Sequence, residues 1–281
     1  MVNNVKTAVL LAGLGGFCIA VGYMLRGPSG MVIGLLIGLV MCGGSYWYSD
    51  KLAIKAANAV EVTRDQMPQY HSIMADLCNR ADLPMPRLYV SRNPQPNAFA
   101  TGRSPEHAAV CVTEGLLNIL TWDEIQGVLA HELSHVRNRD ILIGSVAAAL
   151  AMGITFTAGI ARWGLMFSGG RGSDRDSNPI VALLMVILAP IAAAIIKAAV
   201  SRSREFEADA SAARMLGTGE PLARALEKLE YGAQRIPADI NPAVSSAYIV
   251  NPLSGSTMAN LFSTHPPVPE RIARLRGNGW A

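Results

Sequence analysis

The stretch His131-Glu132-Leu133-Ser134-His135 is the most informative part of this 281-residue sequence. On an α-helix, residues four positions apart share a face, so both imidazoles can bind one Zn²⁺ at ~2.0–2.1 Å. Glu132 is not a ligand in this arrangement, but its carboxylate lies next to the metal-bound water and can accept a proton from it. The alternative is a helix that merely carries two histidines. The pattern predicts a hydrolytic metal site with Glu132 as general base.

A third metal ligand is predicted in the segment Ser201-Arg202-Ser203-Arg204-Glu205-Phe206-Glu207-Ala208-Asp209. If the segment is helical, Glu205 and Asp209 share one face, whereas Glu207 points roughly to the opposite side. We therefore predict that Glu205 is the third zinc ligand. Asp209 is predicted to orient a ligand histidine by accepting a hydrogen bond from its other ring nitrogen. Glu207 is predicted to be a solvated surface charge.

Residues 51–140 have the character of a folded soluble domain, because charged residues return there after an apolar start. A helix is predicted from Ala53 to Leu77. Three strands are predicted, at Arg87–Ser91, Asn97–Gly102 and Ala108–Val112. A further helix begins at Thr121, where Glu124 three residues later completes a capping box. The predicted class is α+β, with a mainly helical catalytic domain of the zincin type that carries a small β-sheet.

The remaining sequence is rich in apolar residues. Hydrophobic residues make up 51% of the chain and charged residues only 16%, which favours a membrane protein over a soluble one. Four stretches are each about long enough to cross ~30 Å of hydrocarbon at ~1.5 Å per residue. They are Thr7–Leu25, Met31–Tyr48, Ile141–Ala161 and Ile180–Val200. The chain is therefore predicted to be a multi-pass membrane protein with four transmembrane helices.

The first two spans are predicted to form a transmembrane hairpin. They are joined by the short turn Arg26-Gly27-Pro28-Ser29-Gly30, and the spacing of Gly34 and Gly38 lets two helices approach closely. The alternative for the first span is a cleaved signal peptide.

Four parts of the chain follow from this pattern. They are a transmembrane hairpin at 1–50, a soluble catalytic part at 51–140, a second pair of spans at 141–200, and a soluble part with the third ligand at 201–281. Lys and Arg near the span ends number seven on the side of the soluble parts and four on the other, which predicts cytoplasmic termini and a cytoplasmic active site. His135 precedes the third span and Glu205 follows the fourth, so both are predicted to lie roughly 8–9 Å from the hydrocarbon.

Two subsidiary sites are predicted. An edge strand can bind an extended substrate by strand addition, although an ordinary edge strand is the alternative. Its residues are Asn97, Ala98, Phe99, Ala100 and Thr101. His265 precedes two prolines in the last soluble segment, and its imidazole is a candidate for stabilising the tetrahedral oxyanion. A structural histidine at a helix start is the alternative for His265.

Four motifs in this order resemble the HtpX family of membrane zinc peptidases, which is related more distantly to the CAAX prenyl proteases. They are Asn97–Gly102, His131–His135, the segment from Ser201 to Asp209, and Thr264-His265-Pro266-Pro267. The resemblance implies one zinc ion on His131, His135 and Glu205, with Glu132 as base. It further implies a stress-related role in protein quality control at a bacterial inner membrane, with misfolded membrane proteins as substrates.

Four other functions are weighed against peptide hydrolysis at the membrane surface. An intramembrane protease is disfavoured, since the helix that carries the two histidines is rich in charged residues. A non-catalytic scaffold has no need of Glu132, and a metal transporter needs polar groups within its spans, where Lys197 is the only charge. Nucleic-acid binding is disfavoured, since the net charge is only +3 and no Lys/Arg run occurs.

Overall fold

The computed structural model describes residues 2–143, 202–235, 249, 266–277 and 280. Its helices are α1 (Val2–Ala56), α2 (Pro68–Ala81), α3 (Glu114–Ile119), α4 (Trp122–Arg137), α5 (Arg202–Leu216), α6 (Glu220–Arg235) and α7 (Val268–Arg276). Its strands are β1 (Ala59–Glu61), β2 (Arg87–Ser91), β3 (Ala98–Thr101) and β4 (Ala109–Thr113). A mostly helical fold with a small mixed sheet is therefore present, as the sequence predicts.

Helix α1 folds back on itself near Gly27, whose φ is 62°. A Cβ atom on Gly34 would overlap the carbonyl oxygen of Cys18, and the Cys42 thiol lies 3.4 Å from the carbonyl oxygen of Leu11. In a straight helix these two pairs would be roughly 24 Å and 46 Å apart. The two arms of α1 are therefore antiparallel and in close contact, and the predicted turn contains the reversal.

Within the described residues, one stretch is long and apolar enough to cross a membrane, namely Gly27–Gly44. A shorter apolar stretch runs from Leu11 to Ala20. The predicted spans at 141–161 and 180–200 lie outside the described residues, apart from the first three positions.

The sheet has the order β1-β2-β4-β3, which leaves β3 at one edge. Strands β2 and β4 are parallel, whereas β1 pairs with β2 and β3 pairs with β4 in antiparallel fashion. The register places Ala98 opposite Val112 and Ala100 opposite Val110. One edge of β3 is thus hydrogen-bonded to β4, and its other edge faces α4, which carries the histidine motif.

The predicted single helix from Ala53 to Leu77 is wrong. Helix α1 ends at Ala56, Asn58 takes a positive φ of 48°, and the chain then forms β1. A second helix begins only at Pro68, a residue whose fixed φ suits the first turn of a helix. Pairing of β1 with β2, which is distant in sequence, overrides the local helical pattern.

Helix α4 lies at the centre of the soluble fold. Its N-terminus has the predicted capping box, in which the Thr121 hydroxyl accepts from the Glu124 N–H and the Glu124 carboxylate accepts from the Thr121 N–H. At Gly127 a Cβ atom would clash with the backbone of Leu222, so α4 and α6 approach each other closely. The buried position of α4 fixes the depth and direction of the side chains that follow Gly127.

Candidate active site

Three side chains from α4 and α5 converge on one point. The Nε2 atoms of His131 and His135 are 3.2 Å apart. The Glu205 carboxylate lies 3.6 Å from Nε2 of His131 and 3.8 Å from Nε2 of His135. Two atoms that each bind a tetrahedral ion at ~2.0–2.1 Å are ~3.3 Å apart, so the imidazole pair has the spacing of metal ligands.

The far side of each imidazole faces a carboxylate. Nδ1 of His131 lies 2.9 Å from Asp209, and Nδ1 of His135 lies 3.2 Å from Asp140. These contacts place the ring proton on Nδ1, so both Nε2 lone pairs point at each other and at Glu205. With both rings neutral, such an array of lone pairs and a carboxylate is repulsive, and a positive charge between them relieves the repulsion, either the proton that His135 holds in the metal-free chain or a metal ion that displaces it. The donor set therefore fits a divalent metal ion held by His131, His135 and Glu205.

Asp209 also binds Arg271 of helix α7, which has no exposed side-chain surface. The guanidinium donates two hydrogen bonds to the carboxylate, from Nε at 2.8 Å and from Nη2 at 2.7 Å. Burial alone would raise the pKa of Asp209, but the adjacent Arg271 charge and hydrogen bonds lower it to about 2. Asp209 therefore remains ionised and can orient His131.

The third guanidinium contact of Arg271 fixes a distant part of the chain. Its Nη1 donates to the carbonyl oxygen of Ile249 at 3.0 Å, and the Ile249 N–H donates to Oδ1 of Asn97 at 3.1 Å. We call this pair of contacts the Ile249 bridge. Because Asn97 is 3% exposed and engaged in this bridge, its side chain holds the fold together at the start of β3.

The outer edge of β3 borders the predicted general base. The N–H of Ala100 donates to Oε2 of Glu132 at 2.9 Å, which shows that this N–H points away from β4. Burial raises the pKa of Glu132 above its ordinary value, although the neighbouring imidazoles oppose the shift. A raised carboxyl pKa suits a group that must both accept and release a proton near neutral pH.

The structure divides the five predicted substrate-binding residues. Ala98 and Thr101 are buried with Asn97, whereas Phe99 and Ala100 are half-buried. The Phe99 side chain packs against the small cluster formed by Tyr89, Ala109 and Cys111, which Ile54 of α1 also contacts. It is therefore the backbone of β3, especially at Ala100, that is presented to the site.

The other predicted residues are less central. Glu207 is exposed and pairs with Arg214 at 2.7 Å, which is the surface role that the sequence predicts. The half-buried Arg204 is placed next to Glu205 and near Asp140. His265 lies outside the described residues.

Comparison with known proteins agrees with this geometry. The family model described as "Peptidase family M48" matches residues 64–278, which include both histidines, Glu132, Glu205 and Asp209. The chain belongs to peptidase family M48. It is therefore a metallopeptidase, as the sequence predicts.

Relatives of the M48 chain extend over nearly its whole length. A "Protease HtpX homolog" from Desulforapulum autotrophicum is 50% identical over 278 residues, which cover 98% of this chain and 90% of the relative. Another from Pelotomaculum thermopropionicum is 49% identical over 275 residues, with 97% and 98% covered. The predicted resemblance to the HtpX family is confirmed, and with it a membrane metallopeptidase.

A solved structure shares the fold of this M48 chain. The crystal structure of S. mikatae Ste24p matches with a TM-score of 0.52 at 21% identity. The match covers 98% of this chain but 65% of Ste24p, so the chain spans just under two thirds of that structure. The likeness shows a shared fold, and the distant relation to the CAAX prenyl proteases stays a prediction from the sequence.

Sequence reasoning missed Asp140, the carboxylate that contacts Nδ1 of His135 in the candidate site of the M48 chain. Asp140 is 7% exposed and follows a turn in which Arg139 has a φ of 56°. The sequence did contain one signal for this role, namely an acidic residue at the boundary of an apolar stretch. Burial of a carboxylate without a partner there would cost free energy, so a partner was to be expected. Its partner, His135, becomes evident only when the turn after α4 is known.

Asp140→Asn is expected to lower metal affinity by roughly 10–100-fold, because an amide holds and polarises the His135 ring less well than a carboxylate. Competition with a chelator of known affinity measures the change. Asp123→Asn is the matched control, since Asp123 lies on α4 with an exposed side chain that pairs with Arg224. Equal affinities of the two variants would contradict the orienting role of Asp140.

Metal affinity is also expected to depend on pH through His135. Burial opposes protonation of this imidazole, but the hydrogen bond to Asp140 and the charges of Glu205 and Asp140 outweigh it and raise the pKa to about 10 in the metal-free chain. A metal ion must displace that proton, so affinity is expected to rise about tenfold per unit between about pH 7 and about pH 9. Chelator competition across that range measures the slope, and a flat profile would contradict the prediction.

The stability of the metal-free chain should change in the opposite sense. Its folded form holds the His135 proton more tightly than the unfolded form, in which a histidine pKa is about 6.5. The stabilisation from this group is therefore fully present below about pH 6.5 and is lost as the pH rises toward about 10. Thermal unfolding of chelator-treated protein tests this direction.

Proposed function

We propose that this chain is a zinc-dependent endopeptidase that cleaves misfolded membrane proteins, or cytoplasmic proteins, at the cytoplasmic surface of a bacterial inner membrane. The observation that carries the proposal is the convergence of His131, His135 and Glu205 beside Glu132, which is hydrogen-bonded to edge strand β3. A metal centre, a base and an extended backbone edge together suit metal-assisted peptide hydrolysis.

Zinc is the metal that best suits this donor set. Two imidazole nitrogens and one carboxylate leave a fourth tetrahedral position open, as in catalytic zinc sites, whereas Mg²⁺ and Ca²⁺ prefer six or more oxygen ligands. When bound, zinc polarises the peptide carbonyl and lowers the pKa of its bound water toward ~7. Asp209 and Asp140 keep the two imidazoles in the tautomer and orientation that such an ion needs.

The remaining chemistry falls to the residues around the metal position. The substrate is proposed to lie extended along the outer edge of β3, with main-chain hydrogen bonds to Ala98 and to the carbonyl oxygen of Ala100, whose N–H donates to Glu132, and with little dependence on side chains. Glu132 accepts a proton from the attacking water and later donates it to the leaving amine. His265 is proposed to stabilise the oxyanion, and Asn97 contributes by holding β3 in place.

The proposed membrane arrangement keeps the four-part division of the chain. A hairpin at 1–50 and a second pair of spans at 141–200 anchor the soluble catalytic parts at 51–140 and 201–281. The antiparallel arms of α1 and the seven-to-four distribution of Lys and Arg support this arrangement and its cytoplasmic orientation. The high identity to HtpX homologues supports substrates of the quality-control type.

Purified protein in detergent tests the proposal. We expect about one zinc per chain by mass spectrometry, cleavage of casein, loss of activity with a chelator, and recovery with Zn²⁺ but not with Mg²⁺ or Ca²⁺. Recovery with another metal alone would reject zinc. Absence of cleavage by the fully metal-loaded protein would leave a non-catalytic metal-binding protein as the better description.

A further inference from the structure

A cleft of about 500 Å³ lies where the end of α1 meets the loop that follows β3. It is distinct from the metal site and is lined by both charged and aromatic side chains. The lining used in the argument below consists of Trp47, Tyr48, Asp50, Lys51, Arg87 and Arg103. Neither peptide hydrolysis nor metal binding requires this cleft.

If the apolar stretch of α1 crosses a membrane as proposed above, the cleft lies close to the lipid headgroups. The apolar stretch that can cross a membrane ends at Gly44, and Trp47 and Tyr48 are then 58% and 55% exposed. Aromatic side chains of this kind concentrate at the membrane interface. Lys51 lies roughly 10 Å beyond Gly44 at ~1.5 Å per residue, whereas the headgroup layer is about 5–7 Å thick on each side. The flexible Lys51 side chain can reach back across that difference.

Two cations of the cleft have no carboxylate partner within 4 Å among the described residues. Arg103 lies over the Trp47 ring, with 4.9 Å to its centroid, and Lys51 lies over the Tyr48 ring at 5.4 Å. The third cation, Arg87, is different because it is paired with the buried Asp50 at 2.6 Å.

Glu106 is the remaining carboxylate of the lining. It is fully exposed and is held by a hydrogen bond with Ser104. The cleft therefore keeps a positive excess, since Arg87 and Asp50 neutralise each other and Glu106 offsets only one of the two unpaired cations.

We propose that this cleft binds the headgroup phosphate of an anionic phospholipid, between Lys51 and Arg103. The cations supply the charge, and their positions against Trp47 and Tyr48 hold them at the interface, where a lipid phosphate lies. The proposal rests on the membrane placement proposed above. Arg103 is two residues beyond Thr101 of β3, so a bound lipid would also steady the strand that borders Glu132.

Native mass spectrometry of protein taken from nanodiscs tests the proposal. The nanodiscs contain equal amounts of phosphatidylglycerol and phosphatidylcholine, and the readout is the ratio of the two lipids retained on the protein. The wild type is expected to retain phosphatidylglycerol preferentially. Lys51→Gln with Arg103→Gln should reduce that preference by about 25-fold, since each interfacial cation contributes about fivefold.

The control is Arg224→Gln with Arg274→Gln, which removes the same charge from exposed positions on α6 and α7. It should behave as the wild type. Soluble glycerol 3-phosphate should not displace the lipid, whereas displacement would assign the cleft to a free phosphate compound. If the control also lost its preference for phosphatidylglycerol, the preference would depend on the net charge of the protein alone, and a specific site would be rejected.

Casein cleavage by the same samples separates this proposal from the one on which it rests. A wild type that cleaves casein but retains both lipids equally would overturn the lipid site and leave the peptidase intact. The two Gln substitutions lie outside the metal site, so a normal metal content shows that the variant is folded.

Discussion

Glu132→Gln is expected to lower kcat/KM for casein by about 10²–10⁴-fold while leaving the metal content unchanged. The side-chain oxygen of glutamine can still accept the hydrogen bond from the Ala100 N–H, so β3 and the metal ligands should keep their positions. What is lost is the ability to accept a proton from the attacking water. Metal analysis and steady-state cleavage of the same preparation measure both quantities.

Glu207→Gln is the matched control for this experiment. Glu207 follows the proposed ligand Glu205 by two residues on α5, but its side chain is 59% exposed and pairs with Arg214. Near-wild-type activity is expected. If Glu132→Gln cleaved as well as this control, Glu132 would not be the base and the proposed mechanism would fail.

Asp209→Asn is expected to reduce the free energy of unfolding by about 3–5 kcal/mol, because it leaves the fully buried Arg271 charge without its partner. Metal affinity should also fall by roughly 10–100-fold, because the amide orients His131 less firmly. Chemical denaturation in detergent and chelator competition measure the two effects separately.

A double variant separates stability from metal binding. Asp209→Leu with Arg271→Met replaces the buried ion pair by apolar side chains and should recover part of the lost stability, although the hydrogen bond from Arg271 to the Ile249 carbonyl is lost with it. It should not recover metal affinity, because His131 still lacks an acceptor. Recovery of both would show that Asp209 acts only through the stability of the fold.

Arg274→Met is the control on α7. Its pair with Glu270 is about half exposed and its guanidinium lies over the Phe206 ring, so loss of both contacts should cost about 1–2 kcal/mol. If Asp209→Asn lowered the free energy of unfolding no more than this control does, the Asp209–Arg271 pair could not be a buried pair that is shielded from solvent.

Local signals in the sequence predicted the centre of the fold well. The Thr121–Glu124 capping box specifies where α4 begins, and the four-residue spacing of His131 and His135 places both rings on one face. The same spacing places Glu205 and Asp209 on one face of α5, and the structure brings both to the histidines. These features depend on helix geometry alone, which explains why they could be read without the fold.

The features that were missed depend on contacts between distant segments. Strand β1 forms because it pairs with β2, so the local pattern around Ala59 suggested a helix instead. Arg271 is surrounded by ordinary amphipathic helix residues, and only the packing of α7 onto α5 brings it to Asp209. Asp140 reaches His135 only because the backbone turns at Arg139, and helical periodicity does not specify such a turn.

The Ile249 bridge has a consequence for the newly synthesised chain. Asn97, Ile249 and Arg271 come from three widely separated positions, and Asp209 has its cation only after α7 has been translated. A chain that stops before Arg271 would contain the histidines and Glu132, yet Asp209 would lack the partner that keeps it ionised. We expect such a fragment to be inactive, and expression of a chain truncated after residue 267 tests this. Orientation of His131 by Asp209 would then depend on helix α7, which is translated long after the two histidines.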